Sequence, residues 1–390
     1  MKCSVFLVAM ALYALNLASA QSTIKLRQLG GHEDLNHTNY IDHEAMRVAA
    51  KYAKNAQMYF QNTGKHHSVV NGTTLSRRAD SGDIKLRMLD AATWVGDIEV
   101  GTPGQKQTVK FDSGSPNIVI GRDSYKPDQS ITARGLRKDF EVAYVSGAKV
   151  HGSVYTDEVN VAGVKAKHVA IGSSKSNFLG ANEDQDLVGL FGLSYPNIGS
   201  YDVPVENTYD VASKDKKNFF YDDIFQFYIR RNGDSFMNVG KIDKDWVDGD
   251  ITWVDVDKSE GYWKADIEIN GHKTSGTVDS GSTFLWGNND EVKKILDEID
   301  GVEVKKSDSG DWRGWYKCDN PPEVKLKVAD MEVTMSKDAI IAGVQDDQCQ
   351  LCIVGMDGIN SWIYGVNFFQ EFTVILDFDK ERMGLGKQKE

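Results

Sequence analysis

One short stretch, met twice, limits what this chain can fold into: Val109-Lys110-Phe111-Asp112-Ser113-Gly114-Ser115 and Gly276-Thr277-Val278-Asp279-Ser280-Gly281-Ser282. Each copy runs an apolar strand into Asp-Ser-Gly. A single such tripeptide marks a turn and little else, because Asp, Ser and Gly are common turn formers. Here the copies lie 167 residues apart, and each is followed by a second apolar run ending in Gly, Ile118-Val119-Ile120-Gly121 and Phe284-Leu285-Trp286-Gly287. That is an internal repeat of strand, turn and strand, which duplicated architecture explains better than chance.

The repeat also constrains chemistry. Brought together across a pseudo-twofold axis, Asp112 and Asp279 cannot both ionise easily, since like charges about 3 Å apart repel. They share a proton and titrate as a pair. One carboxylate takes a proton from a water held between them, and the other donates to a substrate carbonyl oxygen. Amide hydrolysis follows with no metal and no cofactor. Gly114 and Gly281 let the backbone pass close to the carboxylates, and the Ser115 and Ser282 hydroxyls are placed to donate to their outer oxygens.

From about Ala79 to the C-terminus the chain resembles the pepsin-like aspartic proteases, on a series of motifs in the family's order. These are Gly101-Thr102-Pro103, Asp112-Ser113-Gly114-Ser115, a flap-like Tyr144 to Gly152, Val188-Gly189-Leu190, Gly261-Tyr262-Trp263, Asp279-Ser280-Gly281 and Ile363-Tyr364-Gly365 with Phe368-Phe369. The resemblance implies an all-β, bilobal fold with pseudo-twofold symmetry and few short helices, with lobes of about 79–240 and 241–390. It implies Asp112 and Asp279 as catalytic residues, supported by Ser113, Ser115 and Ser280. Substrate contacts would come from Gly114, Gly281, Ser282 and the flap residues Tyr144, Ser146 and Gly147. The polypeptide to be cut would lie extended across a cleft between lobes.

Met1-Lys2, the largely apolar run from Val5 to Leu17 and Ala18-Ser19-Ala20 read as a secretory signal peptide over residues 1–20. The run falls short of the roughly 20 apolar residues a membrane span needs. Residues 21–78 then turn polar, with eight Lys and Arg against four acids and five of the eight histidines, before a body more acidic than the chain's formal −12. We read them as a prosegment held on the body by opposite charge, an intramolecular inhibitor whose histidines gain charge on acidification. In the family such segments set a Lys against the catalytic pair; Lys51 or Lys54 is the candidate. Arg77-Arg78 marks its processing site and 79 the start of the peptidase domain. Both glycosylation sequons, Asn36-His37-Thr38 and Asn71-Gly72-Thr73, lie in this segment. The product is expected to be a secreted monomer, or one held in a vacuole-like acidic compartment. The acidic body argues against nucleic acid as a partner.

Alternating, β-branched runs punctuated by Gly and Pro argue antiparallel strands through most of the body. Asp290 to Ile299 is the best helical stretch and Asp222 to Arg231 the next. Trp263 reads as core packing. Of the cysteines that remain beyond the leader, the resemblance favours a Cys318–Cys352 disulfide, with Cys349 the other partner for Cys318; Cys349-Gln350-Leu351-Cys352 has no matching ligand pair for zinc. The chain departs from the usual family residues at Ser113 and Ser280, which keep the hydroxyl of the commoner Thr, and at Val119, Val145 and Val366, which alter the setting of the flap and the charge near the dyad. A pepsin fold that has lost catalysis and serves as a binding or inhibitor protein is the alternative. A glycosidase using the same two acids would need them about 5 Å or more apart.

Overall fold

The computed structural model describes residues 22–29, 40–69, 93–143, 149–176, 186–199, 224–231 and 233–389. The signal peptide, both sequons, Arg77-Arg78 and the flap residues Tyr144, Val145, Ser146 and Gly147 lie outside them. The described chain is all-β and bilobal, with short helices apart from Tyr40–Thr63.

Each lobe carries the same three-strand arrangement around its Asp-Ser-Gly turn. In the first, Gln105–Asp112 runs into the turn and Ile118–Ile120 runs out of it. Leu187–Gly192 threads between them, parallel to the incoming strand with Asp112 opposite Gly192, and antiparallel to the outgoing one. In the second, His272–Val278 and Leu285–Asn288 flank Trp362–Tyr364, again parallel on entry with Val278 opposite Tyr364 and antiparallel on exit. Buried on both faces, these threading strands read as continuous apolar runs and not as alternation. The strand Lys264–Ile269 shows the contrasting pattern: Ala265, Ile267 and Ile269 are buried while Asp266 is exposed and Glu268 half-buried. It turns back into His272–Val278 through Asn270-Gly271, both at positive φ (47° and 81°), the pairing that tight hairpins favour.

Among the described residues the strands form one sheet of thirteen and one of ten. The ten-stranded sheet comes entirely from the second half. The larger one joins both ends of the chain: Phe372–Asp377 pairs with Ile224–Tyr228, and Ser22–Leu29 is inserted between Ser235–Val239 and Thr93–Val100. One apolar cluster runs through both lobes. Trp263 belongs to it, fully buried, with its indole donating to the Leu193 carbonyl at 2.7 Å.

Two elements and the disulfide differ from the sequence expectation. Asn289–Asp297 is a helix, capped by the Asn288 side chain on the Asp290 amide and burying Val292, Ile295 and Leu296, but the described part of the second candidate, 224–231, is not. Ile224–Tyr228 is a strand with all five residues buried, flanked on both edges by partners; a short apolar run has no period of its own, and pairing decides its state. The helix Tyr40–Thr63 was not foreseen, although Ile41, Ala45, Val48, Tyr52, Asn55 and Tyr59 recur every three or four residues. The disulfide also needs correcting: Cys318 bonds Cys349, not Cys352. Tyr316 and Cys349 are directly opposite across an antiparallel pair, and the Cys318 amide donates to Asp347 at 3.0 Å, which brings the two Cα atoms to 5.0 Å. Cys352, three residues further along the same strand, is a buried free thiol in the core. Burial pushes that thiol well above its ordinary pKa.

Candidate active site

Asp112 and Asp279 come together at the bottom of the two turns, each fully buried. The loops that hold them match bond for bond. Ser113 donates its hydroxyl to the Val278 carbonyl at 2.9 Å and accepts from the Ser280 amide at 2.9 Å. Ser280 does the converse, donating to the Phe111 carbonyl and accepting from the Ser113 amide, both at 2.9 Å. Four bonds thus cross between loops where either lobe alone would leave buried polar groups unpaired, at a cost of about 1–3 kcal/mol each.

Each carboxylate is oriented by its own turn. The Gly114 amide donates to Asp112 Oδ1 and the Gly281 amide to Asp279 Oδ1, both at 2.9 Å. Ser115 donates to Asp112 Oδ2 at 2.7 Å and Ser282 to Asp279 Oδ2 at 2.6 Å. The glycines are required by the opposite loop. A Cβ on Gly114 would stand 2.5 Å from Asp279 Oδ1, and one on Gly281 only 2.0 Å from Asp112 Oδ1.

The helix Tyr40–Thr63 lies across this pair. Lys51 places Nζ 2.6 and 2.9 Å from the two Asp279 oxygens and 3.1 and 3.5 Å from those of Asp112. Lys54, the other sequence candidate, is not the one that reaches the carboxylates; burial lowers its pKa to about 8. One turn before Lys51, Arg47 donates to the Gly281 carbonyl at 2.8 Å; one turn after it, Asn55 donates to the Gly114 carbonyl at 2.9 Å. Residues four apart share a helix face, so a single face contacts both loops and the space between them. Tyr52 adds a bond to Asp279 Oδ2 at 3.0 Å and stacks on Tyr262.

The charges follow from this packing. Burial alone would raise the Asp279 carboxyl, but the Lys51 ammonium and the hydrogen bonds from Asp112, Lys51 and Ser282 outweigh it and hold the group well below the usual carboxylate range. Burial, and then the negative charge of Asp279, push the Tyr52 phenol well above its ordinary value. Beyond the helix, His67 packs edge-on to Tyr59 and Tyr262 with Nε2 2.6 Å from the Glu260 carbonyl. Burial lowers its pKa despite that contact.

Of the remaining sequence candidates, Val119 and Val366 are buried core residues, and the Val366 amide donates to the Ser282 carbonyl at 2.8 Å. Sequence reasoning missed Arg47, Tyr52 and Asn55. Their spacing about Lys51, at −4, +1 and +4, is the signal that would have found them. Among the described residues no cluster of His, Cys, Asp or Glu is arranged to hold a metal ion.

The seam of the bilobal β-fold thus holds two buried aspartates on matching turns, joined by reciprocal serine bonds. The model of the eukaryotic aspartyl protease family matches residues 93–388. The chain belongs to that family, the pepsin-like aspartic endopeptidases. It is 30% identical to secreted aspartyl protease 1 of Malassezia globosa over 356 residues, 89% of this chain and 88% of that protein. A second protein of the same organism, named a probable inactive secreted aspartyl protease, is 27% identical over 83% of this chain and 86% of its own length. Pepsin A of Sus scrofa is 26% identical over 78% and 84% respectively.

Proposed function

We propose that this chain is the zymogen of a secreted endopeptidase that cuts peptide bonds with a water activated between Asp112 and Asp279. The single observation that carries the reading is the matched pair of loops, which aims both carboxylates at one point and fixes each through a Gly amide and a Ser hydroxyl. With the pair singly protonated, the ionised member takes a proton from water as the oxygen attacks the scissile carbonyl. The protonated member gives its proton to the carbonyl oxygen, forming a tetrahedral diol. Its collapse breaks the C–N bond while a proton passes to the leaving amine. Gly114, Gly281 and Ser282 would meet the substrate backbone, and Tyr144 with Ser146 and Gly147 would close over it as a lid that excludes water.

Lys51 supports the zymogen reading. An ammonium among four carboxylate oxygens stands where the reacting water would sit and holds Asp279 in its ionised form. Residues 21–78 would then be the prosegment, preceded by the signal peptide 1–20 and released after Arg78 to leave a peptidase domain of 79–390. The name of the Malassezia globosa relative and the apolar leader favour export. Polypeptides are the expected substrates, for a protein that works as a monomer.

One observation favours a second reading, a fold retained for binding: a relative over most of the chain carries the word inactive in its name. Cleavage of unfolded casein from about pH 2.5 to 7 by matured protein separates the two. Activity on the acid side that Asp112→Asn and a statine-type inhibitor both abolish is the expected result. Folded, matured protein that cuts nothing at any pH would establish the binding reading instead.

A further inference from the structure

The strand that ends at Asp112 carries a second unusual residue. Lys110 is only 4% exposed. Side chains two apart on a strand share a face, so Lys110 lies on the side of Asp112, while Phe111 between them turns into the core against Phe191. A buried ammonium is costly without polar partners. Lys110 Nζ donates to Thr93 Oγ1 at 3.4 Å, and its charge reaches the carboxylate of Glu44 on the helix that lies over the aspartates.

Glu44 is itself 3% exposed. Its own helix supplies Arg47, which donates Nε and Nη2 at 2.8 Å. The body supplies Thr283, the residue after Ser282, which donates its hydroxyl at 2.9 Å. The carboxylate therefore sits against Thr283 beside the second aspartate loop, within reach of the charge of Lys110 on the strand that enters the first. Burial alone would push its pKa up; Arg47 first, then Lys110 and Thr283, bring it down to about 2. When the helix leaves, Arg47 leaves with Glu44, whereas Lys110 and Thr283 stay.

We propose that Lys110 and Thr283 form a subsite of the cleft that takes an acidic side chain of the polypeptide substrate, and that Glu44 fills it in the full chain as such a side chain would. This rests on the reading that residues 40–69 vacate the cleft in the working protease. An incoming carboxylate meets the Lys110 charge and the Thr283 donor together. A neutral isostere such as Gln forgoes the charge pairing and leaves the ammonium facing an amide, the situation in which sites built for a polar group discriminate best.

The test uses protein matured from the full chain and a peptide series in which each position near the scissile bond carries either Glu or Gln. At about pH 5.5 a Glu side chain of ordinary pKa about 4.3 is ionised. At one position kcat/KM should favour Glu by about five- to twentyfold, about 1–2 kcal/mol. Lys110→Met should bring that ratio to about one, and Lys110→Arg should keep it. A ratio near one at every position in the parent, or a preference that survives Lys110→Met, overturns the proposal. The unprocessed full chain reads the same contact without catalysis, through a double-mutant cycle of Glu44→Gln and Lys110→Met on the denaturation midpoint. Non-additive effects support the subsite and additive ones overturn it. A parent that cuts no peptide while the cycle stays coupled counts against the endopeptidase reading and still supports this pairing.

Discussion

The two aspartate loops are alike in every bond they make to each other and unlike in what they receive from the helix above them. Ser113 and Ser280, Gly114 and Gly281, Ser115 and Ser282 repeat the same contacts to within 0.1 Å. Lys51, by contrast, stands nearer Asp279, and the Tyr52 hydroxyl donates to Asp279. The difference teaches that the two halves of the body build a symmetric pair, and that one helical face, which has no symmetry, is what distinguishes its members. A proton shared between two carboxylates needs the symmetry; a helix docked across them does not.

Lys51→Met should have the largest effect on this arrangement. Removing one partner of a buried ion cluster leaves uncompensated charge and costs about 3–5 kcal/mol, so the unprocessed chain should lose most of its protection of the helix in hydrogen exchange. A clamp unaffected by the change would mean that Arg47 and Asn55 hold the helix without it.

Next come Ser113→Ala and Ser280→Ala, which test the symmetric half of the comparison. Each removes one donated and one accepted bond in a buried seam, about 2–3 kcal/mol. The two variants should fall together in denaturant titrations. A difference of more than about 1 kcal/mol between them would show that the seam is not equivalent on its two sides.

Tyr52→Phe tests the asymmetric half. It deletes a bond to a charged acceptor, about 1.5–3 kcal/mol, and should weaken docking of the helix through Asp279. Combined with Asp279→Asn the loss should be less than additive, and combined with Asp112→Asn additive; the reverse pattern would invert the asymmetry seen here.

The smallest effect is the first stage of acidification. His67 has a lowered pKa when docked, so its contribution is complete above the ordinary value of about 6.5 and declines as pH falls below it. Asp279 and Glu44 have lowered carboxyl pKa values, so theirs is complete above about pH 4 to 4.5 and declines as pH falls toward the docked values, about 2 for Glu44. Helix release followed by tryptophan or tyrosine fluorescence should therefore show a shallow loss below about pH 6.5 and a steeper one below about pH 4. His67→Gln should remove the first and leave the second.

Much of the fold was open to reading. The helix Asn289–Asp297 follows from local pattern, because an Asn-capped amphipathic stretch has few alternatives, while the threading strands and the burial of Trp263 follow from the order of the family's motifs. Ile224–Tyr228 escaped because five consecutive buried residues carry no period. Cys349 and Cys352 could not be told apart by position in the chain, since either brings a sulfur near Cys318 until strand register and side-chain alternation choose a face. Lys51 and Lys54 were equal candidates for the same reason: three residues apart on a helix they differ by about 60° in direction from a full turn, and only docking selects one.

By itself the sequence determined that two Asp-Ser-Gly-Ser turns would stand at the ends of equivalent strands, because a repeated local pattern must fold to a repeated local structure. It also determined that a basic segment precedes an acidic body. What the tertiary structure alone decided was contact between residues remote in the chain: Ser113 with Ser280, Gly281 against Asp112, Lys51 between two carboxylates, Glu44 on Thr283. Local pattern sets what a segment can be. The closure of two lobes on one buried seam, with a helix laid across it, sets what each residue meets.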